Sequence, residues 1–332
     1  MSELDPDLDR TMSVAPMMGC TDRHCRVLLR LLSPHALLFT EMVVSGALIY
    51  GDTNHFLQHE DDEPCALQIA GSNPDELATC AQLGEAAGYQ EINLNVGCPS
   101  DRVQHARIGA CLMADPRLVQ HCISAMKAKV DIPVTVKCRI GIDDDDSFEN
   151  FRDFINIVAE SGCDTFYIHA RKAILDGLTA RQNRDIPPLK YEYVYRIARE
   201  FPHCRFYLNG GIRSVAEALE QLGLTDGVML GRAIYQNPYL LMELDSAIYG
   251  TALSTRHDIL DQYAGYASKC LTRGEHAKHM LKHILGLYSG CPGARQFRRY
   301  LSTQMFKPKT TMDILNEALR ISGLTSDHNF VS

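Results

Sequence analysis

Val134-Thr135-Val136-Lys137-Cys138-Arg139, bounded by Pro133 before it and Gly141 soon after, is a short β-branched run that ends on charge. Such a run suits a parallel strand covered on both faces. Seven more share its size and its Gly, Pro or polar boundaries: Ser13–Met17, Leu37–Met42, Cys65–Ala70, Glu91–Val96, Thr165–Ala170, Arg205–Asn209 and Gly227–Leu230. Most are read as continuously apolar. Helical patterns lie between them: Asn73–Gly88, with Asn73 as N-cap and Pro74 in the first turn; Ser147–Gly162, ending on glycine; and Ser214–Gly223, opened by Ser214 and closed by Gly223. Eight strand–helix units predict an α/β fold, a (β/α)8 TIM barrel. A doubly wound sheet competes, but no G-x-G-x-x-G follows the first run. After Asn237-Pro238 the strand signals stop, and Tyr239–Leu324 reads as several helices. A boundary near Tyr249-Gly250-Thr251 gives a barrel over 1–249 and a smaller helical C-terminal domain over 250–332.

Composition narrows the class. With 45% hydrophobic and 22% charged residues, the 332-residue chain is an ordinary globular protein. It contains no apolar run long enough to span a bilayer. Its acidic, polar start, Met1-Ser2-Glu3-Leu4-Asp5-Pro6, resembles neither a signal nor a transit peptide, so a cytoplasmic location is expected. Twelve cysteines without C-x-x-C pairs argue against a zinc ribbon or a dithiol motif and for free thiols. The net charge of −8 argues against nonspecific nucleic-acid binding by the whole surface. Its distribution is uneven. From Arg273 to Lys309 eight basic residues face a single acid, Glu275, giving +7 and leaving −15 to the rest. A basic module on an acidic body fits a polyanion; a solvated helical face is the plainer alternative. His276, His279 and His283 share helical spacing there, but no acid or cysteine completes a metal set, and phosphate contact or plain surface is expected.

In a barrel of this kind, chemistry gathers where strands end. The ends read Ala15-Pro16-Met17-Met18-Gly19, Thr40-Glu41-Met42, Gln68-Ile69-Ala70-Gly71, Asn93-Leu94-Asn95-Val96-Gly97-Cys98-Pro99, Lys137-Cys138-Arg139, His169-Ala170-Arg171-Lys172, Asn209-Gly210-Gly211 and Gly231-Arg232. The last two form a phosphate grip: glycines admit backbone N–H groups, while a helix N-terminus and Arg232 add positive potential. Lys137 is expected to point into the mouth, as a cation beside a flavin ring, as a Schiff-base lysine, or paired with an acid. Gln68 suits a heterocycle edge. Cys98 sits on a loop between Gly97 and Pro99. A thiol holds its proton at neutral pH and suits a general acid. No cysteine-protease signature surrounds it.

The ordered set Asn95-Val96-Gly97-Cys98-Pro99-Ser100, Val134–Gly141, Ile168-His169-Ala170-Arg171, Asn209-Gly210-Gly211-Ile212 and Gly227–Arg232 resembles the tRNA-dihydrouridine synthase family, from about Ala15 to Ser302. Asn183-Arg184-Asp185-Ile186-Pro187-Pro188-Leu189 and Gly293–Ser302 resemble its A branch. The resemblance implies FMN, NADPH as reductant, and U20 and U20a of the tRNA D-loop as targets. It implies flavin contacts from Pro16, Met17, Met18, Gln68, Lys137, His169, Asn209, Gly210, Gly211, Gly231 and Arg232, and makes Cys98 the proton donor. RNA contacts are implied for Asn95, Arg171, Lys172, Asn183, Arg184, Pro187, Arg295, Arg298, Arg299 and Ser302. No metal is implied, and a monomer is expected. Where the family usually shows a glycine and an aromatic, this chain has His105-Ala106-Arg107-Ile108. Three rivals stand beside this reading: a barrel flavoenzyme reducing a free pyrimidine, a Schiff-base aldolase-type barrel built on Lys137, and a noncatalytic RNA-binding protein.

Overall fold

The computed structural model describes residues 8–100, 106–306 and 311–324. The expected (β/α)8 barrel is present. Its strands, all parallel, are β1 (Met12–Val14), β2 (Leu38–Phe39), β3 (Val43–Val44), β4 (Cys65–Ala70), β5 (Glu91–Val96), β6 (Val134–Arg139), β7 (Thr165–His169), β8 (Arg205–Asn209) and β9 (Gly227–Leu230). They pair in the order β1-β9-β8-β7-β6-β5-β4-β2. The ring closes where Val14 N donates to Leu37 O (2.9 Å) and Leu37 N to Met12 O (3.0 Å).

Nine strands make eight staves because the second is interrupted. Thr40 uses its own hydroxyl to accept the Gln68 N–H (2.9 Å), so a side chain replaces one backbone rung. Val43 and Val44 then resume pairing with Ile69 and Ala70. The first run stops short of its expected Met17 end. Ala15 N makes the last rung, to Leu230 O (2.7 Å), Pro16 has no N–H to offer, and Cys20 N and Thr21 N turn back onto Met17 O.

Alternate residues of each stave face opposite ways. Ile92, Leu94 and Val96 of β5 join the large cluster beneath the surrounding helices. Ala15, Leu37, Phe39, Ala66, Tyr167, Tyr207 and Met229 fill the barrel interior. Continuous apolarity therefore fails on β5, whose Glu91, Asn93 and Asn95 are buried polar residues of the opposite face.

The helices start where their caps predict. Asn73 accepts from Asp75 N and Glu76 N ahead of Pro74–Ala86, Ser147 accepts from Asn150 N ahead of Phe148–Ala159, and Ser214 accepts from Glu217 N ahead of Val215–Leu222. Helix Tyr239–Tyr249 ends on Gly250, whose φ of 75° is left-handed. Helices Arg256–Thr272, Ala277–Leu281, Ala294–Gln304 and Thr311–Ser322 follow. No described helix is long and apolar enough to cross a membrane.

The C-terminal helices share one buried cluster with the barrel's outer layer. Tyr263 OH donates to His24 O (3.1 Å) on helix Arg23–Leu32. Asp22, the N-cap of that helix, lies 2.7 Å from Lys282 Nζ and 2.8 Å from His283 Nε2. Burial alone would raise the Asp22 carboxyl; hydrogen bonds and charge from His283 and Lys282 outweigh it and hold it well below the usual range. His283 is thus neither surface nor phosphate contact, as its spacing suggested, but a fully buried tie. His24, Cys270 and Glu275 do bring ligand-type atoms within 4.8 Å of one another. Arg23 and His24 both engage Glu275 Oε2, and Tyr266 OH lies 2.7 Å from His24 Nδ1, which makes this cluster another tie between barrel and helices.

Candidate active site

The C-terminal ends of β4 to β9 bring most of the expected residues to one mouth. Lys137 Nζ reaches across from β6 to donate to Asn209 Oδ1 (3.0 Å), and Asn209 Nδ2 donates to Met229 O (2.7 Å). His169 lies one stave from each, paired in register with Arg139 and Asn209. Gly210 and Gly211 have φ of 114° and 82°, where a side chain is strained, and a Cβ on Gly210 would meet His169 Cδ2 at 2.6 Å. Gly231 opens helix Arg232–Gln236 without a side-chain cap. A Cβ there would lie 3.4 Å from both Ala15 Cβ and Met17 Sδ. Pro16 and Met17 are half-buried and Met18 is exposed, on the turn after β1.

Cys98 follows β5. Its N–H and that of Gly97 donate to Asn95 Oδ1 (2.9 and 3.1 Å), and its thiol lies 3.6 Å from Ser100 Oγ. The side chain is half-buried against Ala70, Ile108 and Met42. Lys137, Arg139 and Arg184 all lie within electrostatic range of it. His105, expected near this loop, lies outside the described residues, as do Lys307 and Lys309 of the basic segment.

Other expected residues are placed differently. Gln68 and Asn95 are buried, and their amides bond to each other through Asn95 Nδ2 and Gln68 Oε1 (2.8 Å). Asn183, expected on RNA, is fully buried: its Nδ2 donates to Ile174 O (2.8 Å) and its Oδ1 accepts from Ile174 N (2.7 Å), so it shapes the loop after β7. Pro187 is buried too, its carbonyl accepting from Arg171 Nη1. Arg232 is exposed and donates to Asp185 Oδ1 (2.8 Å) across the mouth. Arg184 is exposed beside it, and Lys172 Nζ lies 3.6 Å from Asp146. Arg295, Arg298 and Arg299 are exposed on one face of helix Ala294–Gln304, with half-buried Ser302 at the next turn. Arg298 Nε donates to Leu285 O (3.2 Å).

Sequence reading gave no role to Arg139, although it ends an apolar strand. Its buried guanidinium donates to Gly97 O (2.8 Å), Lys172 O (2.9 Å) and Asn183 O (3.1 Å), clamping the loops after β5 and β7. A charge closing a β-branched run is the signal that marks it.

The mouth is electrostatically unfinished. Burial above all, then the charge of Arg139, pulls Lys137 down to about 8. Burial, with repulsion from Arg184 and Arg171, pulls Arg139 down to about 10. Arg171 is lowered for the same first reason, and its Nε is buried without a hydrogen-bond partner among the described residues. Burial and the cations Arg139, Lys137, Arg171 and Arg232 hold His169 well below the usual histidine range, so its imidazole is neutral at pH 7. Depressed cations and an unanswered guanidinium N–H describe a cleft shaped for anionic oxygens. A flavin carrying one terminal phosphate fits this donor set.

A parallel barrel whose mouth joins glycine-rich strand ends, a half-buried lysine and a loop cysteine has the arrangement of an enzyme of the TIM-barrel class. Residues 13–322 match the family model described as dihydrouridine synthase. The chain is 52% identical over 311 residues to a tRNA-dihydrouridine(20/20a) synthase of Vibrio cholerae, covering 93% of this chain and 95% of the relative. It is 50% identical over 318 residues to the protein of that name in Pseudomonas syringae pv. tomato, covering 95% of each. With the one in Escherichia coli the identity is 51% over 312 residues, covering 93% of this chain and 90% of the relative. The chain belongs to the dihydrouridine synthase family.

The depressed Lys137 carries a stability signature. Its folded value near 8 lies below the ordinary 10.5. The penalty for a charged Lys137 is therefore complete below pH 8 and fades as pH rises toward 10.5. Urea unfolding of flavin-free protein should show Lys137→Met more stable than wild type at pH 7, with the gap closing above pH 8. A pH-independent gap would mean that Lys137 is not desolvated.

Proposed function

We propose that the protein reduces uridines 20 and 20a in the D-loop of tRNA to dihydrouridine, with FMN as bound cofactor and NADPH as reductant. The observation that carries this reading is the cationic mouth, short of anions, with a thiol on its rim. The names of the relatives supply the positions 20 and 20a.

A flavin bound in the mouth would supply the hydride chemistry, accepting hydride from NADPH and passing it to C6 of the uracil. Asn209, Gly210, Gly211 and Gly231, with the uncapped start of helix Arg232–Gln236, hold the phosphate. Lys137 offers positive charge at the pyrimidine edge, and neutral His169 a hydrogen bond without added repulsion. Pro16, Met17 and Met18, on the turn after β1, would frame the ring, and Gln68 would lie beneath it with its amide already engaged. The target base must leave its stack to reach this depth. Cys98 then delivers its proton to C5, and Asn95 holds the loop that carries the thiol. The chain is read as a catalytic barrel over 1–249 and an RNA-holding part over 250–332. In the latter, Arg295, Arg298, Arg299 and Ser302 meet phosphates; Arg171, Lys172 and Arg184 extend that surface at the rim, on the loop shaped by Asn183 and Pro187. Recognition by phosphates and shape suits a folded RNA.

A grip that closes around one terminal phosphate favours the mononucleotide. Chromophore released by heat from the purified protein should have the mass of FMN; FAD, or no flavin even after reconstitution, would refute the cofactor.

Cys98→Ala separates the two halves of the reaction. Flavin reduction by NADPH precedes RNA and should keep its rate, whereas single-turnover oxidation by unmodified tRNA without oxygen should fall by about 10²–10⁴-fold. Oxidation at the wild-type rate moves the proton to another donor.

The helix stripe predicts salt dependence. Arg298 bonds a nearby carbonyl, so Arg295 and Arg299 are the better probes. Changing both to Ala should weaken tRNA binding and flatten its log–log salt slope by roughly 1–2. Equal loss of NADPH oxidation would make the stripe structural.

A further inference from the structure

A line of hydrogen bonds climbs the inside of the barrel from its floor to the cysteine loop. Arg10 Nε donates to Glu91 Oε2 (2.7 Å). Thr135 Oγ1 donates to Glu91 Oε1 (2.7 Å), and Asn93 Nδ2 donates to Thr135 Oγ1 (2.8 Å). Gln68 Nε2 donates to Asn93 Oδ1 (2.8 Å), and Asn95 Nδ2 donates to Gln68 Oε1 (2.8 Å). Asn95 Oδ1 finally accepts the N–H groups of Gly97 and Cys98. Glu91, Asn93, Thr135, Gln68 and Asn95 are all buried.

This line has one sense. Glu91, ion-paired to Arg10, can only accept. Thr135 must give it the hydroxyl hydrogen and keeps its lone pairs for Asn93. Asn93 then turns nitrogen toward Thr135 and oxygen toward Gln68, and the same choice passes through Gln68 to Asn95. At the far end the Gly97 and Cys98 N–H groups can only donate, so they require the Asn95 oxygen. The two ends agree. Reversing any one amide would set donor against donor or acceptor against acceptor in a dry interior.

The geometry points to Glu91, Thr135 and Asn93 as positioning residues for the cysteine loop: the carboxylate at the barrel floor sets the sense of the Asn95 carboxamide, and through it the placement of Cys98. None of the three belongs to the mouth. The consequence for turnover rests on the reading of Cys98 as proton donor; the relay itself rests on the hydrogen bonds.

Thr135→Val removes the hydroxyl at nearly constant volume and leaves the Arg10–Glu91 pair in place; Thr135→Ser restores a hydroxyl. In the flavin-loaded, full-length protein, the Gly97 and Cys98 amides should exchange hydrogen about tenfold faster in Thr135→Val, while Ile92 and Val136 keep their rates. Single-turnover oxidation by tRNA should slow about tenfold at saturating tRNA, with the half-saturating concentration unchanged. Thr135→Ser should recover both. Wild-type exchange at Gly97 and Cys98 in Thr135→Val overturns the proposal. So does acceleration shared equally with Ile92 and Val136, or a serine variant that recovers nothing. If the amides respond as expected but tRNA fails to oxidise even the wild-type protein, the relay stands and the functional reading falls.

Discussion

A closed barrel keeps its interior dry, so any polar side chain turned inward must be answered inside. Much of this interior avoids the demand, with Ala15, Leu37, Phe39, Ala66 and Met229. The sector formed by β4, β5 and β6 does not. It carries Glu91, Asn93, Asn95, Gln68 and Thr135, and Arg10 closes it from below. An apolar sector of the same volume would serve folding at least as well, because desolvating a buried ion pair costs about as much as its attraction returns. Stability alone therefore does not account for the polar sector. It meets the mouth beneath the cysteine loop, and there a fixed set of donors and acceptors matters more than hydrophobic filling.

The same economy of ties joins the C-terminal helices to the barrel. Asp22 caps helix Arg23–Leu32 and also meets Lys282 and His283, so one carboxylate fixes the turn after β1, the first barrel helix and the C-terminal helices together. That turn carries Pro16, Met17 and Met18. The reach from helix Ala294–Gln304 to the mouth is in this way set by packed side chains and not by a linker. Under the proposed function, a helix stripe of arginines held at a fixed offset from the mouth would measure distance along a folded RNA, which a flexible tether cannot.

How much of this could be read beforehand follows from how local each signal is. Strand runs, N-caps at Asn73, Ser147 and Ser214, and the glycines at the ends of β8 and β9 are written within a few residues of where they act. The placement of Cys98 and Lys137 at strand ends was legible for the same reason. Arg10 was not: it lies before the first strand, and its partner Glu91 is 81 residues away. Asn183 was misjudged because a polar residue in a loop near charged neighbours looks solvent-facing, whereas its amide closes the loop on itself. His283 gave a surface spacing and proved buried, since helical periodicity does not say which face meets the barrel. The break in the second stave depended on a hydroxyl replacing a backbone acceptor, a substitution visible only once Thr40 and Gln68 are side by side.

Charge carries the last step. The chain is acidic overall, yet its cations converge on the mouth and on one helix stripe. Those at the mouth are of two kinds. Arg139 donates to three backbone carbonyls, which neutralise no charge, and Arg171 does the same through Pro187. Both keep their positive potential while gaining a fixed position. Arg232 instead meets a carboxylate, Asp185. Carbonyl partners hold a guanidinium rigid without cancelling its field, and in a desolvated cleft that field is little screened. An acidic surround outside and uncancelled cations within make the mouth selective by position: a polyanion is repelled by most of the surface and attracted where the chemistry lies.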